Sequence, residues 1–230
     1  MEIDRFFSGE DLAAIERRVR EAERATGGEV VVYAVDASDD YPEAAWTAAA
    51  AGAALLPLAA AAAHRAAGFW GGAGQGRWAD HWTGHWLLWI VLPALLGAAL
   101  GWLAAALLPG LRRRLVREAD LARRTERRAA AAFVSEEVFA TRDRTGVLLF
   151  VSLFEHRVVV LADAGIHARV PPGSWDAVVE GVVAGIRAGR PGAAVAEGVE
   201  RCGRLLAEHG VPRRPDDRDE LADPVRREER

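Results

Sequence analysis

Lysine is missing from this chain, so all 29 of its basic residues are arginine. With alanine abundant, that bias reads as genome composition rather than chemistry. Cysteine is almost as scarce. A single Cys202 excludes an internal disulfide, and its helical spacing with Val195, Val199 and Leu206 predicts a buried small hydrophobe rather than a redox centre. A basic excess is lacking too. A net charge of −4 over 230 residues gives no broad positive field, which argues against a nucleic-acid partner. The opening segment MEIDRFFSGED lacks the basic-then-apolar order of a signal peptide. Gly71-Gly72-Ala73-Gly74-Gln75-Gly76 has no Walker lysine, and no Ser/His/Asp set assembles around Ser152 or Ser174.

Charge itself is lacking over two stretches. Residues 86–110 (WLLWIVLPALLGAALGWLAAALLPG) carry none, and about 20 apolar residues suffice for a helix to cross the hydrocarbon core. Residues 44–64 are built mostly from alanine and form the weaker candidate span. Seven of the eight tryptophans lie between Trp46 and Trp102, several near span ends, where interfacial aromatics anchor a helix. Arg112-Arg113-Arg114 follows the second span, with Arg117, Arg123, Arg124, Arg127 and Arg128 beyond it. The loop at 65–85 holds only Arg65 and Arg77. By the positive-inside rule the arginine-rich side is cytoplasmic. The expectation is therefore an integral inner (cytoplasmic) membrane protein with two spans, an exoplasmic loop at 65–85 and both termini cytoplasmic. The competing reading is a pair of buried helices in a soluble bundle.

What flanks this hairpin has α/β character. Ser8 and Asp11 form a capping-box-like start, with Phe7 and Leu12 at staple positions, before an amphipathic helix that ends at Gly27-Gly28. Glu29 to Val35 is a β-branched run, read as a strand covered on both faces. The stretch from Arg112 to about Thr141 reads as one long helix. Gly146–Val151 and Arg157–Leu161 read as an antiparallel strand pair, and a crossover of the βαβ kind would make the first of them parallel to Glu29–Val35. Ser174 is expected to cap one helix and Pro191 to open the last. Residues 211–230, charged and without period, are expected to be a disordered tail.

This order of elements resembles the TPM domain family. Three passages carry the resemblance. The first runs from Phe7-Ser8-Gly9-Glu10-Asp11-Leu12 through Thr26-Gly27-Gly28-Glu29-Val30-Val31-Val32. The second is Asp143-Arg144-Thr145-Gly146-Val147-Leu148-Leu149, and the third is Arg157-Val158-Val159-Val160 with its Gly165 turn. The insertion after the first strand is similar to that of a bacterial membrane-protein subgroup. The resemblance implies a three-layer α/β/α sandwich with a mixed sheet, made from residues 1–42 plus 112–210 and interrupted by a two-helix transmembrane hairpin at 44–64 and 86–110. It also implies an acidic pocket binding Ca²⁺ or Mg²⁺, and phosphatase activity in some members. Where many relatives have Gly-Tyr-Gly-Leu-Glu, this chain has Ala162-Asp163-Ala164-Gly165-Ile166, without the tyrosine and the glutamate.

Carboxylates are hard oxygen ligands, and the candidates are Asp36, Asp39, Asp40, Asp143 and Asp163. Parallel first and second strands would put the first three at one end of the sheet and the last two at the other. Asp143 and Asp163 are the preferred metal pair, against a plain role as turn and capping residues. His81 and His85, four apart, are a second metal candidate if that loop is helical. The expected role is non-enzymatic: a module that assembles or maintains an envelope complex with a membrane-protein partner. A divalent-metal-dependent phosphatase is the alternative.

Overall fold

The computed structural model describes residues 6–66, 90–209, 211, 221 and 224–228. The chain divides into two compact units, Met1–Asp39 with Ala119–Arg230, and Asp40–Glu118. The first unit is mixed α/β. Helix α1 (Gly9–Ala25) starts as its sequence predicts, with Ser8 and Asp11 satisfying each other's backbone N–H groups in a capping box. Strand β1 (Glu29–Val35) follows and is buried along its whole length.

Strand β2 (Gly146–Ser152) runs parallel to β1, with Glu29 opposite Gly146 and Val35 opposite Ser152. Strand β3 (Arg157–Ala162) is the antiparallel neighbour of β2. Parallel partners need a long crossover, and here it carries the entire second unit.

Successive side chains of a strand point to opposite faces, and each face of this sheet has its own core. Val30, Val32, Val147 and Leu149 join one apolar cluster with residues of α1 and of two later helices. Those helices, numbered in chain order below, run over Asp176–Arg187 and Pro191–Glu208. Val31, Tyr33, Leu148 and Phe150 join another with Ala129 and Ala132, from the helix Glu118–Ser135. Tyr33 and Phe150 stack there with ring centroids 5.8 Å apart. At roughly 1.5–3 kcal/mol per fully buried aliphatic or aromatic side chain, these two faces supply the main stabilisation of the sheet.

In the second unit, α2 (Pro42–Ala66) and α3 (Leu92–Leu107) pack on one another. Helix α4 (Pro109–Leu115) follows after a bend of 107°. Helix α5 is Glu118–Ser135. The single long helix expected from Arg112 is therefore corrected. Pro109 ends α3 at Leu107 and opens α4, and Val116 breaks α4 from α5 with an extended backbone. A short α6 (Ala164–His167), a 3-10 turn (Pro172–Trp175), α7 (Asp176–Arg187) and α8 (Pro191–Glu208) complete the order. Ser174 lies inside the 3-10 turn and makes no capping bond to α7.

The tail expectation is also corrected, at the residues described. Arg226–Glu228 form β4, parallel to Tyr33–Val35, so the order is β3-β2-β1-β4. Strand pairing is made by backbone N–H and C=O groups, so a charged segment without period qualifies. The Arg226 Nε holds Glu136 at 2.5 Å. Nearer the start of β1, Glu23 Oε1 accepts the Val30 N–H at 3.0 Å, which caps the edge of β1 where β4 does not reach.

Candidate functional site

At the β2 entrance the chain turns sharply. Thr141 Oγ1 accepts the Thr145 N–H at 2.8 Å, and Thr145 Oγ1 donates to the Gly27 carbonyl at 2.7 Å. Arg144 adopts a left-handed φ of 58°. A Cβ on Gly146 would overlap the Val138 carbonyl, and one on Gly165 would overlap the carbonyl of Asp143. Much of what the TPM resemblance rests on here, Gly27-Gly28 and Asp143-Arg144-Thr145-Gly146, is thus the hardware of one joint between α1, β1 and β2.

Asp163, at the end of β3, lies in this joint and is 5% exposed. Its Oδ1 accepts the Ala164 N–H at 2.7 Å and the Arg144 Nη2 at 3.0 Å, while the Arg144 Nε lies 2.6 Å from Oδ2. The carboxylate is thus gripped by a guanidinium and caps α6. Asp143 is exposed at the adjacent turn. Both residues are at the same end of the sheet, as the strand directions require. Yet the cation already on Asp163 is Arg144, and no group of three His, Cys, Asp or Glu suited to an ion occurs among the described residues. A divalent cation would have to displace that arginine.

The opposite end holds the other aspartates. Asp36 is buried just after β1, Asp39 pairs with Arg124 of α5 at 3.1 Å, and Asp40 is exposed at the start of the second unit. Between the carboxyl ends of β1 and β2 sits a group that the sequence did not announce. Glu155, in the β2–β3 turn, is fully buried. Its Oε1 accepts the Ser38 N–H at 2.8 Å, and its Oε2 accepts the Ser152 hydroxyl. The two serine hydroxyls lie 2.9 Å apart. Because Ser152 spends its one proton on Glu155, Ser38 Oγ is the donor to Ser152. A relay of hydroxyls therefore ends on a carboxylate and ties the exit of β1 to the β2–β3 turn. His156 in that turn takes a φ of 51°. A lone Glu in an apolar hairpin was the available signal, but from spacing alone it reads as a solvated turn.

Burial pushes the Cys202 thiol up to about 12 from its usual 9.0, against a smaller lowering by a backbone hydrogen bond. It is a core group, as its spacing predicts. His81 and His85 lie outside the described residues, as does residue 67–89 as a whole.

The seam between α2 and α3 is made of small residues. A Cβ on Gly52 would overlap the Gly97 carbonyl, one on Gly97 would overlap the Gly52 carbonyl, and one on Gly101 would overlap that of Ala48. The pairs 52 with 97 and 48 with 101 make the helices antiparallel. Large apolar side chains point the other way: Trp46 is 70% exposed, Leu55 64%, Leu95 63% and Leu107 68%. Helix α2 has a mean hydropathy of 1.5 over Pro42–Ala63 and is little buried, and α3 continues into α4 across the 107° bend as a second apolar stretch. The Gly97-x-x-x-Gly101 spacing was present in the sequence, hidden within an alanine- and leucine-rich run.

No family model matches the chain, and neither does any curated protein. Among solved structures the chain is similar to the NMR structure of BA42 protein from the psychrophilic bacterium Bizionia argentinensis. The two share 18% identity over 99% of each chain, with a TM-score of 0.57. At that identity the likeness is one of fold.

Proposed function

We propose that this chain is a membrane-anchored, TPM-like α/β module, interrupted by a two-helix transmembrane hairpin, with both termini in the cytoplasm. Its role is that of a non-enzymatic assembly or maintenance factor for an envelope complex. One observation carries the anchoring: the hairpin is inverted relative to a soluble core. Glycine and alanine fill the seam between α2 and α3, while leucine and tryptophan face outward. In water that arrangement leaves most of the exposed large apolar side chains among the described residues facing solvent. In lipid it is favourable, because small residues let helices approach and acyl chains cover the leucines. A helix of a soluble bundle would be mostly buried, unlike α2. Pro57 within α2 also fits a span, where an interrupted backbone bond is tolerated. The non-enzymatic part is supported by the Arg144 grip on Asp163 and by the glutamate–serine relay, both of which read as structural ties.

Alkaline carbonate extraction of cells expressing the full chain tests the anchor. The protein should stay in the membrane pellet; release to the supernatant overturns the reading. Detergent solubilisation of native membranes should then yield a stoichiometric particle containing a second membrane polypeptide. A monodisperse particle of this chain alone would sink the assembly role.

A further inference from the structure

We propose that α4 is an interfacial foot, lying along the membrane surface and binding anionic lipid headgroups through Arg113, Arg114 and Arg117. This rests on the membrane reading above and adds a partner to it.

The geometry starts at the bend. Leu108 is extended, and Pro109 at the first position of α4 supplies no N–H to continue the ladder of α3. The two helix axes consequently meet at 107°. If α3 runs along the membrane normal, α4 runs close to the membrane plane. A peptide in that position needs an apolar side and a cationic side, and α4 has both. At about 100° per residue, Leu111 and Leu115 share one face, Arg113 lies on the opposite one, and Arg112 and Arg114 flank it. Arg117 follows just after the helix and is exposed.

Exposure agrees with that placement. Leu107 and Leu108, at the bend, are 68% and 55% exposed, and Arg114 and Arg117 are exposed as well. The Nε of Arg113 is shielded from solvent and has no hydrogen-bond acceptor among the described residues. A guanidinium presents its donors in a planar fork that matches two phosphate oxygens. Leucines at the acyl boundary and arginines at the phosphate level are thus ordered as a bilayer interface is. The partner is the phosphate of an anionic phospholipid. Each arginine near such a surface favours association by about fivefold.

The test uses the full chain reconstituted in vesicles of phosphatidylcholine, with or without phosphatidylglycerol. A spin label on Leu111→Cys should report the headgroup–acyl boundary, colliding with oxygen more than with an aqueous nickel chelate. A label that collides mainly with the chelate, in protein that resists carbonate extraction, overturns the foot while leaving the anchor standing. Extraction by carbonate instead means that the anchor itself has failed.

A second measurement compares the wild type with the combined Arg113→Gln, Arg114→Gln and Arg117→Gln variant, both cut from mixed vesicles with an amphipathic polymer. Phosphatidylglycerol should be enriched around the wild type and fall at least tenfold towards the bulk ratio in the variant, which remains in the membrane. Equal enrichment in both overturns the proposal. So does loss of enrichment on adding inorganic phosphate at matched ionic strength, since a free-anion site would then explain the arginines.

Discussion

At the scale of single residues, burial decides which groups have chemistry to offer. Cys202 is the plainest case. Its folded pKa is raised from 9.0 to about 12 by loss of water, so the folded state favours the neutral thiol. The unfolded chain releases that proton first as pH rises. This contribution to stability is therefore intact below pH 9.0 and declines by about 1.4 kcal/mol per pH unit as pH climbs towards the folded value. Denaturant titrations of the detergent-solubilised protein between pH 8 and 11 should show that decline, and Cys202→Ala should flatten it. A slope unchanged by the substitution would contradict the burial. The residue scale also shows where sequence reading stopped. Ser8 with Asp11 was legible because both partners lie within one turn. Glu155 was not, because its partner Ser38 is far away in sequence and arrives only when β1 and β2 pair.

At the scale of elements, the α2–α3 seam makes the sharpest statement. Each glycine there faces a carbonyl of the other helix, so a side chain forces backbones apart rather than a rotamer to turn. Gly97→Leu is expected to cost about 1–3 kcal/mol or more, read as a lowered thermal aggregation midpoint in detergent. Leu96→Ala, on an outward position, should leave that midpoint nearly unchanged. Equal effects from the two substitutions would mean that the seam is not where the helices touch. The strands behaved differently from the helices in legibility. Apolar, β-branched runs located β1, β2 and β3 to within a residue or so, because β1 and β2 are buried on both faces and must be apolar nearly throughout, and β3 lines the edge beside them. The break at Val116 escaped, since arginine-rich helical sequence on either side gives no local stop signal. β4 escaped as well, its bonds being backbone bonds to an edge that exists only in the folded sheet.

At the scale of the molecule, the two ends of the sheet hold two separate polar groups. The joint around Asp163 is closed by Arg144, and the opposite end by Glu155 with Ser38 and Ser152. A phosphatase reading would need Asp143 and Asp163 to open towards an ion. The purified full chain, supplied with Ca²⁺ or Mg²⁺ and an aryl phosphate, is expected to release phosphate no faster than its Asp163→Ala variant. Metal-dependent release that the variant loses would overturn the assembly role in favour of catalysis.

The sequence alone determined what depends on near neighbours: the capped first helix, the apolar strands, the antiparallel pairing of β2 with β3, and two charge-free stretches bounded by tryptophan and arginine. Tertiary structure decided what depends on distant segments meeting. It placed Arg144 on Asp163, buried Glu155 between two serines, set Gly52 against Gly97, and laid Arg226–Glu228 on the edge of β1. The physical reason is range. Periodicity and capping act over a few residues, whereas the pairing of a buried charge or the meeting of two helices is fixed only once the chain has closed on itself.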